Sequence, residues 1–186
     1  MIILDDLEAN TGRRSWLRAV CALFYSPGFY TVALHRLGAF LYRGNALSRF
    51  GAWVIWRWLV LTTGCYIDNR AMIGRGFRLP HPTGVVIGEG ATLGNDVTIY
   101  HGVTIGIARS GECMYPVLED HCVVYAGATI VGDITIGAGA VVGANAVVTR
   151  SVPSGSVAVG IPARVSGDRA VAKLCLLGSD HVRAAR

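Results

Sequence analysis

The chain has 186 residues, of which 52% are hydrophobic and 16% charged, so it has material for one buried core and little sign of disorder. The net charge of +5 is almost all arginine, Lys173 being the only lysine, and the long middle section has few basic residues and no recognition motif, which argues against nucleic acid. Five cysteines (Cys21, Cys65, Cys113, Cys122, Cys175), an odd number with no C-x-x-C pair, argue against a disulfide framework and for a reducing compartment.

The opening MIILDDLEAN is acidic and lacks the basic start and cleavage site of a signal peptide, so a cytoplasmic location is expected. Residues 12–64 read as helices. In SWLRAVCALF, Trp16, Val20 and Leu23 form one stripe, with Ser15 as a candidate N-cap. SPGF is a break. TVALHRLGAFLYRGN repeats the pattern and ends at Gly44, a helix-stop position. The third piece, RFGAWVIWRWLVLTTGC, carries Trp53, Trp56 and Trp58. It is too short, and interrupted by Arg57, to cross a membrane. Packing against the rest of the protein is the favoured reading, and a helix resting on a membrane interface is the alternative.

From Ile67 the period changes. Ile, Leu or Val occurs at 67, 73, 79, 87, 93, 99, 105, 118, 124, 130, 136, 142 and 148, thirteen starts of a six-residue unit. Glycine follows the start at 74, 88, 94, 106, 137 and 143. A period of six fits neither an α-helix nor a plain hairpin, and it marks a β-helix. Each hexad supplies a short strand and a corner, three hexads close a triangular coil, and coils stack about 4.8 Å apart. Thirteen hexads give about four coils. The hexapeptide form winds left-handed, against the usual crossover rule. Three parts are expected: a helical segment over 1–66, the β-helix over 67–153 with a loop at 107–117, and a tail over 154–186.

The register breaks twice. Between Leu79 and Ile87 the step is eight, and the two added residues arrive beside His81. Between Ile105 and Leu118 the step is thirteen, which throws out IARSGECMYPV. Interruptions of a rigid solenoid are where function usually sits.

With the repeats placed, IGRGFRLPHPTGVVIGEGATLGNDVTIYHGVTIG, GATIVGDITIGAGAVVGANAVV and GIPARV resemble the serine acetyltransferases, hexapeptide-repeat acyltransferases built on a left-handed β-helix. SPGFYTVALHRLGAFLY resembles the helical segment that precedes that β-helix. The resemblance implies acetyl transfer from acetyl-CoA to a hydroxyl, without metal, in homotrimers whose sites lie between neighbouring β-helices. It makes His81, in the H-x-T-G run, the general base, a role for which imidazole has a suitable pKa. It places coenzyme A along Gly106, Ala126 and Ala144, with Arg164 and Lys173 as candidates for its phosphates. The short helical segment implies a lone trimer.

Three positions depart from the family pattern. Pro80 stands where the family has an aspartate beside the histidine. Tyr66 stands where a second aspartate supports it, with Asp68 two residues on as a candidate substitute. Met114, Tyr115 and Pro116 replace the R-H-P of the extended loop. A free amino acid needs a cation for its carboxylate and an anion for its ammonium, whereas tyrosines pack on sugar rings. Tyr115, Tyr66 and Asp68 are therefore the candidate acceptor-binding residues, and a saccharide or related polyol is the expected acceptor. Serine is the alternative, and a scaffold without catalysis a third reading. His101 is either near the thioester or an exposed corner residue, and Glu89 reads as a structural corner residue.

Overall fold

The computed structural model describes residues 2–109, 111 and 113–166. Four helices come first: α1 (Ile2–Thr11), α2 (Trp16–Tyr25), α3 (Pro27–Tyr42) and α4 (Ala46–Thr63). Local chemistry sets their ends. At the start of α3 the Ser26 hydroxyl accepts from the Phe29 N–H, and Pro27 takes the first position. Asn45 caps α4 through the Ser48 N–H, and Gly64, at φ 68°, ends it. Ser15 holds the N-cap position of α2 without a side-chain bond.

Two features of this segment differ from the sequence reading. α1 lies ahead of the first helix expected from the apolar pattern. The stripe of Trp16, Val20 and Leu23 faces outward, at 53, 63 and 38% exposure, while α2 buries Ala19 and Ala22 against Leu7 and Phe29. Small side chains let α2 approach its neighbours closely, and periodicity alone does not say which of two apolar faces is the inner one.

The strands follow in short steps. The first two coils hold β1 (Tyr66–Ile67), β2 (Met72–Ile73), β3 (Val86–Ile87), β4 (Thr92–Leu93) and β5 (Thr98–Ile99). The third and fourth hold β6 (Thr104–Gly106), β7 (Val117–Leu118), β8 (Val123–Val124), β9 (Thr129–Val131), β10 (Thr135–Ile136) and β11 (Val141–Val142). Last come β12 (Val147–Val148), β13 (Val157–Val159) and β14 (Arg164–Ser166).

Strands one coil apart pair in parallel, giving three faces: β1-β3-β6-β9-β12, then β2-β4-β7-β10, then β5-β8-β11-β13. Arg78, bridged to Thr98, supplies the third side of the first coil, and Val152, bridged to Ile136, the second side of the last. The strands thus make five coils rather than four, because Val152 continues the winding and β13 carries it beyond residue 153, into the stretch read as a tail. β14 then turns back antiparallel on β13 and covers its open edge. Twelve of the thirteen aliphatic hexad starts are buried on the axis, and Ile73 packs there in part.

The other end of the β-helix is closed by the helices. Residues 77–79 have no strand on their outer side, and α1 takes its place. Asn10 Oδ1 accepts from the Leu79 N–H at 3.0 Å, and its Nδ2 donates to the Phe77 carbonyl at 2.8 Å. Asp6 Oδ1 accepts from the Phe77 N–H at 3.0 Å. Asp6, with its side chain 0% exposed, also pairs with the guanidinium of Arg36 (Nε to Oδ2 2.9 Å), which donates onward to the carbonyls of Ile73 and Gly74. Gly28 brings α3 onto the Leu79 carbonyl, where a Cβ would collide.

Removing one partner of a buried pair leaves the other charge uncompensated. Asp6→Ala should therefore cost about 3–5 kcal/mol in urea unfolding, and adding Arg36→Met should restore part of that loss. An unchanged midpoint for Asp6→Ala would contradict this account of how the β-helix is closed.

Candidate active site

The third and first faces meet at a corner that successive coils turn in nearly the same way. Gly84, Gly102 and Gly127 have φ of 64, 67 and 71°, with Asn145 at 55° in the next coil. That left-handed turn suits glycine, and Asn tolerates it. The residues just ahead of the last three turns are His101, Ala126 and Ala144, stacked one coil apart.

The first crossing is different. Pro80 and His81 are inserted ahead of Pro82, Thr83 and Gly84. A tight turn, closed by the Thr83 N–H on the His81 carbonyl at 2.9 Å, pushes His81 out of the column, and its side chain is exposed. The His81 ring stands 6.0 Å from His101, edge-on, and 6.3 Å from Tyr100. Tyr100 in turn stacks on Tyr125 at 5.1 Å. Among the described residues no carboxylate pairs with His81.

Beyond His81 the corner offers a floor of small side chains. Ala126 is half-buried and Ala144 exposed. Three coil steps separate His81 from Ala144, roughly 14 Å by strand spacing. Past Ala144, Arg164 of β14 sits exposed opposite Val159, which packs against Gly143. The structure thus lines up His81, His101, Ala126, Ala144 and Arg164 along one edge. Lys173 lies outside the described residues.

The remaining candidates gather elsewhere, at the corner between the first and second faces. Asp68 bonds Arg70 (Nε to Oδ1 3.0 Å), and Arg70 also pairs with Glu89. Burial pushes the Asp68 carboxyl up, but the hydrogen bonds and charge of Arg70 outweigh it and hold the group below its usual range. The Tyr115 ring lies over Gly88 and Gly90, where any Cβ would strike it, so these glycines seat the end of the 107–117 loop. Desolvation, then the Glu89 carboxylate, raises the Tyr115 hydroxyl above its ordinary value. Gly106, with open space beside it, ends β6 at this same corner. Tyr66 stands on the first face, 48% exposed and edge-on to Trp56 at 6.0 Å.

Asp68 therefore does not support His81 within one chain, and Gly106 does not share an edge with Ala126 and Ala144. The sequence reading also omitted Tyr100 and Tyr125, whose repetition at one hexad position was a usable signal. Arg70 offered none, because its value lies in a contact with the next coil. His35 was missed as well. It is 2% exposed, packed under the first coil, and its Nδ1 has no partner.

A family model described as bacterial transferase hexapeptide (six repeats) matches residues 115–150. The serine acetyltransferase of Mycobacterium tuberculosis is 41% identical over 152 residues, 80% of this chain and 65% of that protein. That of Helicobacter pylori is 39% identical over 170 residues, covering 87% of this chain and 92% of its own length. Among solved structures, serine acetyltransferase from Neisseria gonorrhoeae superposes with a TM-score of 0.79 at 33% identity, over 90% of this chain and 64% of that one. The same enzyme has been solved in complex with serine (TM-score 0.76), and a serine acetyltransferase in complex with CoA also matches, at TM-score 0.76 and 30% identity. The fold is the left-handed β-helix of hexapeptide-repeat transferases. Within that class, the chain belongs to the serine acetyltransferase family. It spans 65% of the M. tuberculosis relative and 53% of the Escherichia coli one.

His35 gives the site's underside a pH dependence. Burial, then the charge of Arg36, pushes its pKa down to about 4 from 6.5. Above pH 6.5 the ring is neutral whether the chain is folded or not. As pH falls from there towards 4, the unfolded chain takes up a proton that the folded one refuses, so stability is lost across that window. The loss between pH 7 and 4.5 should be about 2–3 kcal/mol. Urea unfolding of His35→Leu beside the wild type checks it, and equal pH slopes for the two proteins would refute it.

Proposed function

We propose that this chain is an acetyl-CoA-dependent O-acetyltransferase in which His81 is the general base. His81 takes the proton of the acceptor hydroxyl as that oxygen attacks the thioester carbonyl. The tetrahedral intermediate then collapses, the C–S bond breaks, and the proton passes to the departing thiolate. In this reading backbone N–H groups of the coil edge stabilise the oxyanion. The observation that carries this reading is the single edge running from the displaced His81, over Ala126 and Ala144, to Arg164. Small side chains leave room for an extended pantetheine arm, and Arg164 offers a guanidinium to phosphates.

The second half of the site comes from a neighbouring copy. Asp68, Arg70, Glu89, Tyr115 and Gly106 lie at the other end of the first face from His81, so a homotrimer with clefts between β-helices would bring the two halves together.

Serine is the acceptor this reading takes first. The relatives named above are serine acetyltransferases, one of them solved with serine, and they support serine over the saccharide expected from the sequence. The cluster of Asp68, Arg70 and Glu89 adds charges of both signs, as an amino acid requires. A saccharide remains the second reading on one observation: Pro80, Met114 and Tyr115 stand where the family pattern has an aspartate, an arginine and a histidine.

Thiol release from acetyl-CoA tests both points. His81→Ala should lower kcat about 10²–10⁴-fold while acetyl-CoA still binds, and wild-type turnover in that variant would overturn the assignment. L-serine should give saturable release where sugars and nucleotide sugars do not, and the reverse pattern would put the saccharide first. Arg164→Gln should raise the KM for acetyl-CoA about tenfold with kcat little changed.

A further inference from the structure

From Gly12 to Ile67 the sequence holds seven arginines and no aspartate or glutamate. Within that segment α4 buries Ala52, Leu59 and Val60 and leaves its opposite face open. Leu47, Phe50, Val54, Trp58 and Leu61 are 80, 61, 45, 55 and 65% exposed, and their spacing keeps them on one stripe along the 18-residue helix. Trp53, 54% exposed, stacks on Phe50 at its flank. An apolar strip of this length, about 21 Å from Leu47 to Leu61, marks a docking surface rather than ordinary surface scatter.

The charges around the strip identify what covers it. Arg57 lies on the Trp53 flank of it, and Arg43 lies at its N-terminal end, while Arg49 sits on the α3 side of the helix. Among the described residues none of the three has a carboxylate partner, and Arg49 stands 4.9 Å over the Tyr42 ring. Two copies packed face to face along α4 would set arginine against arginine, with no acid in the segment to separate them. An anionic bilayer surface satisfies both features. Tryptophan, phenylalanine and leucine enter the boundary between headgroups and acyl chains, and the guanidinium groups meet lipid phosphates. None of the described helices is long and apolar enough to cross a membrane.

We propose that α4 docks this protein flat on anionic lipid, holding the β-helix at the membrane–water boundary. The proposal stands apart from the acetyl-transfer reading and is tested without it. In flotation of the full chain, vesicles of phosphatidylcholine with phosphatidylglycerol should carry the protein up, and vesicles of phosphatidylcholine alone should not. Raising the salt should release it. Leu47→Ser with Leu61→Ser should abolish flotation without changing the circular dichroism spectrum. Arg43→Gln and Arg57→Gln should each weaken binding about fivefold. Three results would overturn the proposal: no flotation with anionic vesicles, equal flotation with neutral ones, or a serine variant that binds lipid like the wild type but sediments as a smaller assembly, which would assign the strip to a second copy.

Discussion

A parallel β-helix has an open edge at each end, and the arrangement of this protein depends on how the first one is closed. Backbone groups of Phe77 and Leu79 would face a void or a foreign strand if α1 were not there. Asp6 and Asn10 supply one acceptor each and a donor in their place, at ordinary hydrogen-bond distances. Because Asp6 is fully buried, its charge has to be matched, and Arg36 from α3 matches it while holding the carbonyls of Ile73 and Gly74. Two helices and one coil thus share one polar network. A network of this kind has to be complete, since each buried group left unpaired carries its full desolvation penalty.

The consequence reaches the candidate site directly. Leu79 is the last residue fixed by α1, and the inserted Pro80 and His81 follow it at once. The displaced turn therefore starts from a backbone pinned on one side by Asn10 and Gly28 and ends at Gly84, stacked below Gly102. A bulge anchored at both ends can hold a side chain outside the column without loosening the coil. The helical segment is in this sense part of the site, although none of its side chains is in ring contact with His81.

The period of six was legible because the axis admits only aliphatic side chains, and twelve buried positions repeat that demand without exception. The displaced histidine was legible for the same reason, since an insertion shows against a strict register. Other features had no local signal. The partners of Asp6 and Asn10 lie some seventy residues away, so nothing in MIILDDLEAN hints at them. The last coil was cut short because Val152 comes four residues after Val148 and Pro153 follows it, which breaks the hexad although the winding goes on. Asp68 looked free to assist His81 by its sequence position, but strands put it at a different corner and give it to Arg70.

On the proposed acetyl-transfer reading, that second corner bears on the acceptor. Arg70 already serves two carboxylates, Asp68 and Glu89, so the cluster carries one negative charge more than it neutralises. A zwitterion can enter such a network by exchange: its ammonium faces a carboxylate while its own carboxylate takes over part of Arg70, and no charge is stranded. A saccharide brings no charge and leaves the ion pairs intact, so its recognition falls to the tyrosines, Tyr115 above the glycines and Tyr66 beside Trp56. The two acceptors therefore make opposite demands on the same residue. Arg70→Gln removes the cation that a serine carboxylate needs but no group that stacks on a sugar ring, so a rise in KM for serine larger than any rise for a sugar, at unchanged kcat, belongs to the amino acid, and equal small changes belong to a brace. The acceptor follows from whether Arg70 is a ligand group or only a brace between two coils.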